Sequence, residues 1–418
     1  MKPLMSTQAN EGPFLGRKMK PFTNRAKRDF EGPFLGRKMK PSKEKNKDKK
    51  TILFVAVPLS NPIDKASKNA IMNILSKSSQ RFIILCTKEF RLPSNINPKN
   101  IILKRIYDKK KNPMSLKQKI RLFFWILTTK EKVDVIHYVF EPSITTGLIF
   151  RAISRIKKKK TIQSIQNYQK KSIFNKIKYF GDKIIVSSDL MYNALRGSNL
   201  KRSVIIKMNP AVDCGFFSPQ KKDSSLVKKL NLKNKKVIFY GGNYQHSLGY
   251  KTLRLAVPKI LKREPNARLI MACRILYPKE RRLEKEFKDA MKKRGVKEQI
   301  IFLNTISNLK EMISISDITL YPSIKPRNKS DYPLVLLEAM AMGKPIIISD
   351  IPPLNEILRD GGGLRIKPKN PGELIEKTLM LLKDENLAQK LSKEARINIL
   401  RNHDIKKVYE NIDSIYIK

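Results

Sequence analysis

Acidic residues are scarce in this chain. Its 418 residues carry 36 Asp and Glu against 88 Lys and Arg, a formal charge of +52. Residues 1–50 hold 15 of the bases and 5 of the acids, so about +42 is spread over the remainder. Such a field attracts anionic lipid, nucleic acid or phosphate-bearing substrates, and it keeps a protein soluble by self-repulsion. A compositional bias toward Lys and Ile throughout the sequence is the other reading. Cysteine is scarce too: Cys86, Cys214 and Cys273 lie far apart with no Cys-x-x-Cys, which excludes a disulfide framework or a thiolate metal cluster and fits a reducing compartment. The only histidines are His137, His246 and His403. Zinc-ligand spacing, an aromatic RNA-binding signature and a short basic helix-turn-helix pattern are all missing, which argues against a nucleic-acid partner. No run approaches the roughly 18 apolar residues of a spanning helix, and the N-terminus lacks a signal-peptide core. A cytoplasmic protein is expected.

What is present is enough chain for two domains with sizeable cores. Residues 1–50 repeat EGPFLGRKMKP identically at 11–21 and 31–41. Two copies rich in Lys, Gly and Pro cannot bury a core, so a disordered basic tail is predicted. From Lys50 the composition changes. Strands are predicted at 51–59, 81–87, 100–106, 133–139, 161–166 and 182–188, with helices at 64–76 and 143–156. Their alternation predicts a doubly wound, mostly parallel sheet with helices on both faces. Residues 114–132 combine an apolar run and the only Trp, Trp125, with Lys117, Lys119, Arg121, Lys130 and Lys132. Two readings stay open for that segment: a crossover helix packed on the sheet, or a basic amphipathic helix at a membrane interface.

The rest of the chain is organised around residues 317–350, DITLYPSIKPRNKSDYPLVLLEAMAMGKPIIISD. Two short β-branched runs flank a predicted crossover helix over Pro333–Met342. Asp331 is its expected cap, Pro333 suits its first turn, and Gly343-Lys344-Pro345 stops it. Its side chains are apolar on every side except Glu338, which predicts a buried helix. A buried, unpaired carboxylate costs several kcal/mol, so Glu338 must neutralise, pair, or face a ligand. One reading is a structural ion pair with a nearby Lys or Arg. The other is a carboxylate that receives ligand hydroxyls in a cleft, beside a helix N-terminus whose free N–H groups suit a phosphate.

The stretch SDYPLVLLEAMAMGKPIIISDIPPLNEIL is similar to the signature of the retaining glycosyltransferases of the GT-B fold, the large group called glycosyltransferase group 1 or family 4. Glu338, Ala339 to Ala341, Gly343, Pro345 and Glu356 match its pattern. Ser330 stands where a first Glu is usual, with Asp331 beside it. Residues 181–219 resemble the family's domain junction through Asn209, Val212, Asp213, Phe217 and Pro219, with Ala211 at a usual Gly. Residues 235–257 resemble the opening of the second domain through Gly241, Gly242 and Gly249. An Arg and a Lys that commonly grip the donor diphosphate are replaced there by Gly242 or Asn243 and by Leu248. The resemblance covers about residues 51–418.

This resemblance implies two Rossmann-like doubly wound parallel-sheet domains facing across a cleft, at 51–208 and 209–400, with residues 401–418 crossing back to the first. It implies retaining, metal-independent transfer of a hexosyl group from a nucleotide-diphosphate sugar to a glycan or lipid-linked acceptor, without a further cofactor, in the cytoplasm or at the inner face of the cell membrane. Glu338 is then expected at the ribose and the amides of Leu334 and Val335 at phosphate. Gly241, Gly242 and Asn243 would allow close approach of backbone, and Lys251, Arg274, Lys325 and Arg327 are the substitute cations. Asp331 is the expected stand-in near the sugar, and His137 the candidate polar group at the first domain's strand ends, where Gln166 occupies the family's usual His position. A GT-B binding protein without turnover, or a sugar-nucleotide epimerase, would use the same sheets.

Overall fold

Runs such as Thr51–Leu59 are apolar on both sides of the strand, and only a sheet covered by helices on both faces can bury them. The computed structural model describes residues 49–417 except 62–65, 95, 109–114, 168–174, 199, 201–203, 245–247, 276, 305, 307, 325–330 and 411. The repeat at 11–21 and 31–41, together with Lys325, Arg327 and Ser330, lies outside the described residues.

In the first domain seven strands pair in parallel: β1 (Thr51–Leu59), β2 (Arg81–Thr87), β3 (Ile101–Tyr107), β4 (Val135–Val139), β5 (Lys160–Ile165), β6 (Lys183–Val186) and β7 (Val204–Lys207). Their order is β3-β2-β1-β4-β5-β6-β7. The intervening helices are α1 (Ala66–Lys77), α2 (Leu116–Thr128), α3 (Ile144–Lys157), α4 (Asn175–Lys178) and α5 (Asp189–Arg196). Serines start three of them. Ser115, Ser143 and Ser188 each accept a hydrogen bond from the third N–H of α2, α3 and α5, satisfying a donor the helix leaves unpaired. α2 and α3 pack on one face of the sheet through Leu122, Ile126, Phe150 and Ile153, while α1 lies on the other.

The second domain runs α6 (Ser224–Lys229), β8 (Lys236–Gly242), α7 (Gly249–Arg263), β9 (Ala267–Cys273), α8 (Pro278–Lys293), β10 (Ile300–Leu303), α9 (Leu309–Ser314) and β11 (Ile318–Tyr321). It continues with α10 (Leu334–Ala341), β12 (Ile346–Ser349), β13 (Gly363–Ile366), α11 (Pro371–Lys383) and α12 (Glu385–Asn402). Its six strands are parallel in the order β10-β9-β8-β11-β12-β13. The order reverses between β8 and β11, the place where open α/β sheets bind ligands at their carboxyl ends. α10 is buried through Leu336, Leu337, Ala339, Met340 and Ala341, the larger side chains contributing about 1.5–3 kcal/mol each. Gly343, at φ +69°, ends it in a left-handed turn.

After α12 the chain returns to the first domain. α13 (Ile405–Val408) and α14 (Ile412–Ile417) set Ile405, Tyr409, Ile412 and Tyr416 into the core that holds Phe54 and Phe82. The two passes between domains lie side by side: Val212 N–H donates to His403 O at 2.8 Å and Ile405 N–H to Val212 O at 2.9 Å. Among the described residues no helix is long and apolar enough to cross a membrane.

Candidate functional site

The carboxyl ends of β8 and β11 meet the start of α10. Pro333 is extended (φ −61°, ψ 119°) and serves as the helix's N-terminal boundary without a side-chain cap, so α10 begins at Leu334 rather than Pro333. The residue before a proline is disfavoured in helical conformation, which keeps Tyr332 and its neighbours out of the helix. The first-turn N–H groups of Leu334 and Val335 precede the helical ladder and carry its positive dipole end. Directly beside them lies β8: a Cβ on Gly241 would stand 2.7 Å from Val335 Cγ2. Here the glycine permits strand and helix to touch.

Both Gly241 and Gly242 remain in β8, paired with Ala272 and Cys273 of β9, and the strand ends at Gly242. Asn243 follows, its carbonyl accepting from Tyr240 Oη at 3.3 Å. Arg274, half-buried, comes immediately after β9, one residue beyond the partner of Gly242. The ends of β8, β9 and α10 therefore gather Gly241, Gly242, Asn243, Arg274, Leu334 and Val335. Lys251 is an exposed residue in the first turn of α7, its N–H bonded to Leu248 O at 3.1 Å.

Glu338 lies one turn into α10. Among the described residues no donor or cation contacts its carboxyl group, so the ion-pair alternative has no partner here. Burial alone pushes its pKa up to about 7. The group is poised to be neutral or to be satisfied from outside, and it stands on the helix whose first N–H groups are free.

Two residues expected at the chemistry are committed elsewhere. Asp331 neither caps α10 nor faces an open site. It is buried, its carboxylate accepts from Ser188 Oγ and, at 3.4 Å, from Ser187 Oγ, and its N–H donates to Gln166 O at 3.0 Å. His137 is third of five residues in β4, not at the strand's carboxyl edge. Its Nδ1 lies 2.9 Å from Tyr416 Oη and its Nε2 2.7 Å from Ser164 Oγ, with Phe54 against the ring. It is fully buried, and desolvation depresses its pKa to about 3. Neutral and held on both nitrogens, it is part of the first domain's interior.

The residues around Asp331 form a polar clasp between domains that the sequence motifs do not announce. Glu356 Oε2 accepts the N–H of Asp189 at 2.8 Å and Oε1 that of Leu190 at 2.9 Å, capping α5 from the other domain. Tyr332 Oη donates to the same carboxylate. Burial, reinforced by the negative charge of Glu356, raises the Tyr332 pKa far above its ordinary value. Arg359 pairs with Asp189, which also pairs with Lys207. Burial opposes ionisation of Asp189, but these two cations outweigh it and hold the carboxyl below its usual range. Ser188 followed by Asp189 reads in the sequence as a helix start; its partners at 331, 356 and 359 are too distant to be read from spacing. Beside the clasp a small crevice runs along the first domain's strand ends, lined by Val139, Ser164, Gln166, Ser187, Met208 and, from the second domain, Leu334. Among the described residues no group of three His, Cys, Asp or Glu could hold a metal ion.

Anabaena HepE, solved in complex with UDP and glucose, shares this fold with a TM-score of 0.71 over 88% of this chain and 99% of that one, at 15% identity. Residues 222–398 match the family described as glycosyl transferases group 1. An uncharacterized glycosyltransferase of Methanocaldococcus jannaschii is 25% identical over 186 residues, 44% of this chain and 45% of its own length. The N,N'-diacetylbacillosaminyl-diphospho-undecaprenol alpha-1,3-N-acetylgalactosaminyltransferase of Campylobacter jejuni is 36% identical over 101 residues, 24% of this chain and 26% of its own. The matches span less than half the length of these curated relatives. Two Rossmann-like parallel-sheet domains make this a GT-B protein. Its second domain resembles that of the group 1 glycosyltransferases over residues 222–398.

Proposed function

We propose that the protein transfers a sugar from a nucleotide-diphosphate donor, with retention of anomeric configuration, to a glycan or lipid-linked acceptor. The observation that carries this reading is Glu338, a carboxyl group without a partner among the described residues, on the helix whose first turn packs against Gly241 of β8. In this reading Glu338 receives the ribose hydroxyls, and the amides of Leu334 and Val335 offset diphosphate charge as it develops on the leaving group. Arg274, immediately after β9, is the first candidate cation, and Lys251, Lys325 and Arg327 are the further candidates. The cation and the helix dipole stabilise the leaving diphosphate, so the proposal includes no metal and no cofactor beyond the donor. The acceptor occupies the crevice of the first domain. A lipid-linked acceptor is supported by the Campylobacter relative, whose name specifies a diphospho-undecaprenol substrate, and a UDP-type donor by the HepE complex.

A second reading, a GT-B binding protein without turnover, is favoured by the commitment of Asp331 and His137 to structural contacts and by Leu248 at a position where the resemblance leads one to expect Lys. Calorimetric titration with UDP, GDP and ADP at physiological salt separates the cases, since salt screens the general attraction of a +52 chain for polyanions. Saturable binding of one nucleotide, lost in Glu338→Gln, is expected. Equal weak binding of all three, unchanged by the substitution, removes the donor site. With the bound nucleotide's sugar, release of free nucleotide diphosphate only in the presence of acceptor marks transfer, whereas binding without consumption marks the second reading.

A further inference from the structure

The crevice and the start of α10 are joined by a very short run of chain. Gln166 lines the crevice from the first domain, and its carbonyl accepts the N–H of Asp331 at 3.0 Å. Three residues later Leu334 lines the same crevice from the second domain and opens α10. The path from crevice wall to helix start thus runs through Asp331, Tyr332 and Pro333. Pro333 adds little freedom to it, since its ring fixes φ, here at −61°.

Tyr332 is the residue of this run that ties it to the rest of the molecule. Its side chain is buried. The hydroxyl donates to the Glu356 carboxylate, which also accepts the N–H groups of Asp189 and Leu190 at the start of α5 in the first domain. The ring meets His403 edge-on, with centroids 5.9 Å apart at 76°. His403 is bonded in turn to Pro210 O on the neighbouring pass between domains. One side chain therefore touches both the clasp and the hinge. A phenylalanine would fill the same volume, and the hydroxyl is what reaches Glu356. Within the second domain α10 is seated independently, by its own buried side chains and by Val335 against Gly241. A change at the Tyr332 hydroxyl leaves that seat intact and alters where it stands relative to the first domain.

We propose that Tyr332 is a positioning residue: through Glu356 and His403 it fixes the start of α10 over the first domain's crevice, so that a sugar donor held on α10 meets an acceptor in the crevice at one distance. The catalytic part of this inference rests on the sugar-transfer reading, and the placement of α10 does not. Reaction between two bound groups falls steeply when one is displaced by about an ångström, so the loss belongs in turnover and not in nucleotide binding.

The test compares the full chain with Tyr332→Phe, which keeps the ring contact with His403 and removes the hydroxyl, so folding is retained and is checked by circular dichroism. Lys159→Cys in the first domain and Lys292→Cys in the second carry a pair of energy-transfer dyes in both proteins. These two positions are exposed, whereas Cys86, Cys214 and Cys273 are buried and stay unlabelled. Tyr332→Phe is expected to broaden the single-molecule distance distribution and to leave the calorimetric Kd for the nucleotide within about twofold of wild type. The kcat of sugar transfer is expected to fall about tenfold at an unchanged KM for the nucleotide sugar. Added to Glu356→Ala, the substitution is expected to broaden the distribution no further, because the two break one chain of contacts. An unchanged distance distribution overturns the proposal, as does an unchanged kcat or a nucleotide affinity that falls as far as the rate. A wild type that binds no nucleotide and transfers no sugar removes the sugar-transfer reading alone, and the distance distribution still decides whether Tyr332 places α10.

Discussion

Glu338 illustrates how a side chain without a partner among the described residues shapes stability. Its folded pKa of about 7 lies above the ordinary value near 4.5. Above pH 4.5 the unfolded chain releases a proton that the folded chain keeps. Stability therefore falls by about 1.4 kcal/mol per pH unit until pH 7, roughly 3 kcal/mol in all. Glu338→Gln removes that penalty. The variant is expected to melt higher than wild type at pH 8 and close to it at pH 4.5, and an equal difference at both pH values would contradict the unpaired carboxyl. His137 works in the other direction: its pKa is depressed from 6.5 to about 3, so stability is full above 6.5 and declines by about 1.4 kcal/mol per unit as pH falls toward 3. His137→Gln should flatten that acid decline and lower overall stability while leaving nucleotide affinity intact. A folded His137→Gln protein that no longer binds nucleotide would return this residue to the site.

Among the elements, the decisive contact is α5 capped from across the cleft. Each hydrogen bond from an N–H to the Glu356 carboxylate is charge-assisted and contributes about 1.5–3 kcal/mol. Glu356→Ala is therefore expected to cost about 2–4 kcal/mol in urea unfolding and to increase the radius of gyration in solution scattering; a loss below about 0.5 kcal/mol with unchanged dimensions would show the clasp to be idle. Tyr332 and Asp331 belong to the segment that leads directly into α10, so the clasp also sets where that helix starts relative to the first domain. Much of this architecture was legible beforehand. The β-branched run at Thr51–Leu59, the serine before α3 and the glycine after α10 each carry their structural consequence within a few residues. The direction of Asp331 was not legible, because Ser188 is 143 residues away and no local rule links them. His137 was misplaced for a similar reason: its position within β4 depends on where pairing stops, and its partner Tyr416 is 279 residues on.

At the scale of the molecule, the sheets bring the start of α10 to the first domain's crevice, which Leu334 helps to line. Two passes of chain join the domains, and they are themselves joined. Val212 bridges to Asp404, Asn209 Nδ2 donates to Asn402 O at 3.0 Å, and His403 Nδ1 lies 2.8 Å from Pro210 O. A single linker would act as a ball joint, free to swing and twist. Two strands fastened along their length act as a door hinge with one axis. Any opening of the clasp at Glu356 would therefore be confined to one axis, carrying α10 and Leu334 along a single arc relative to the crevice.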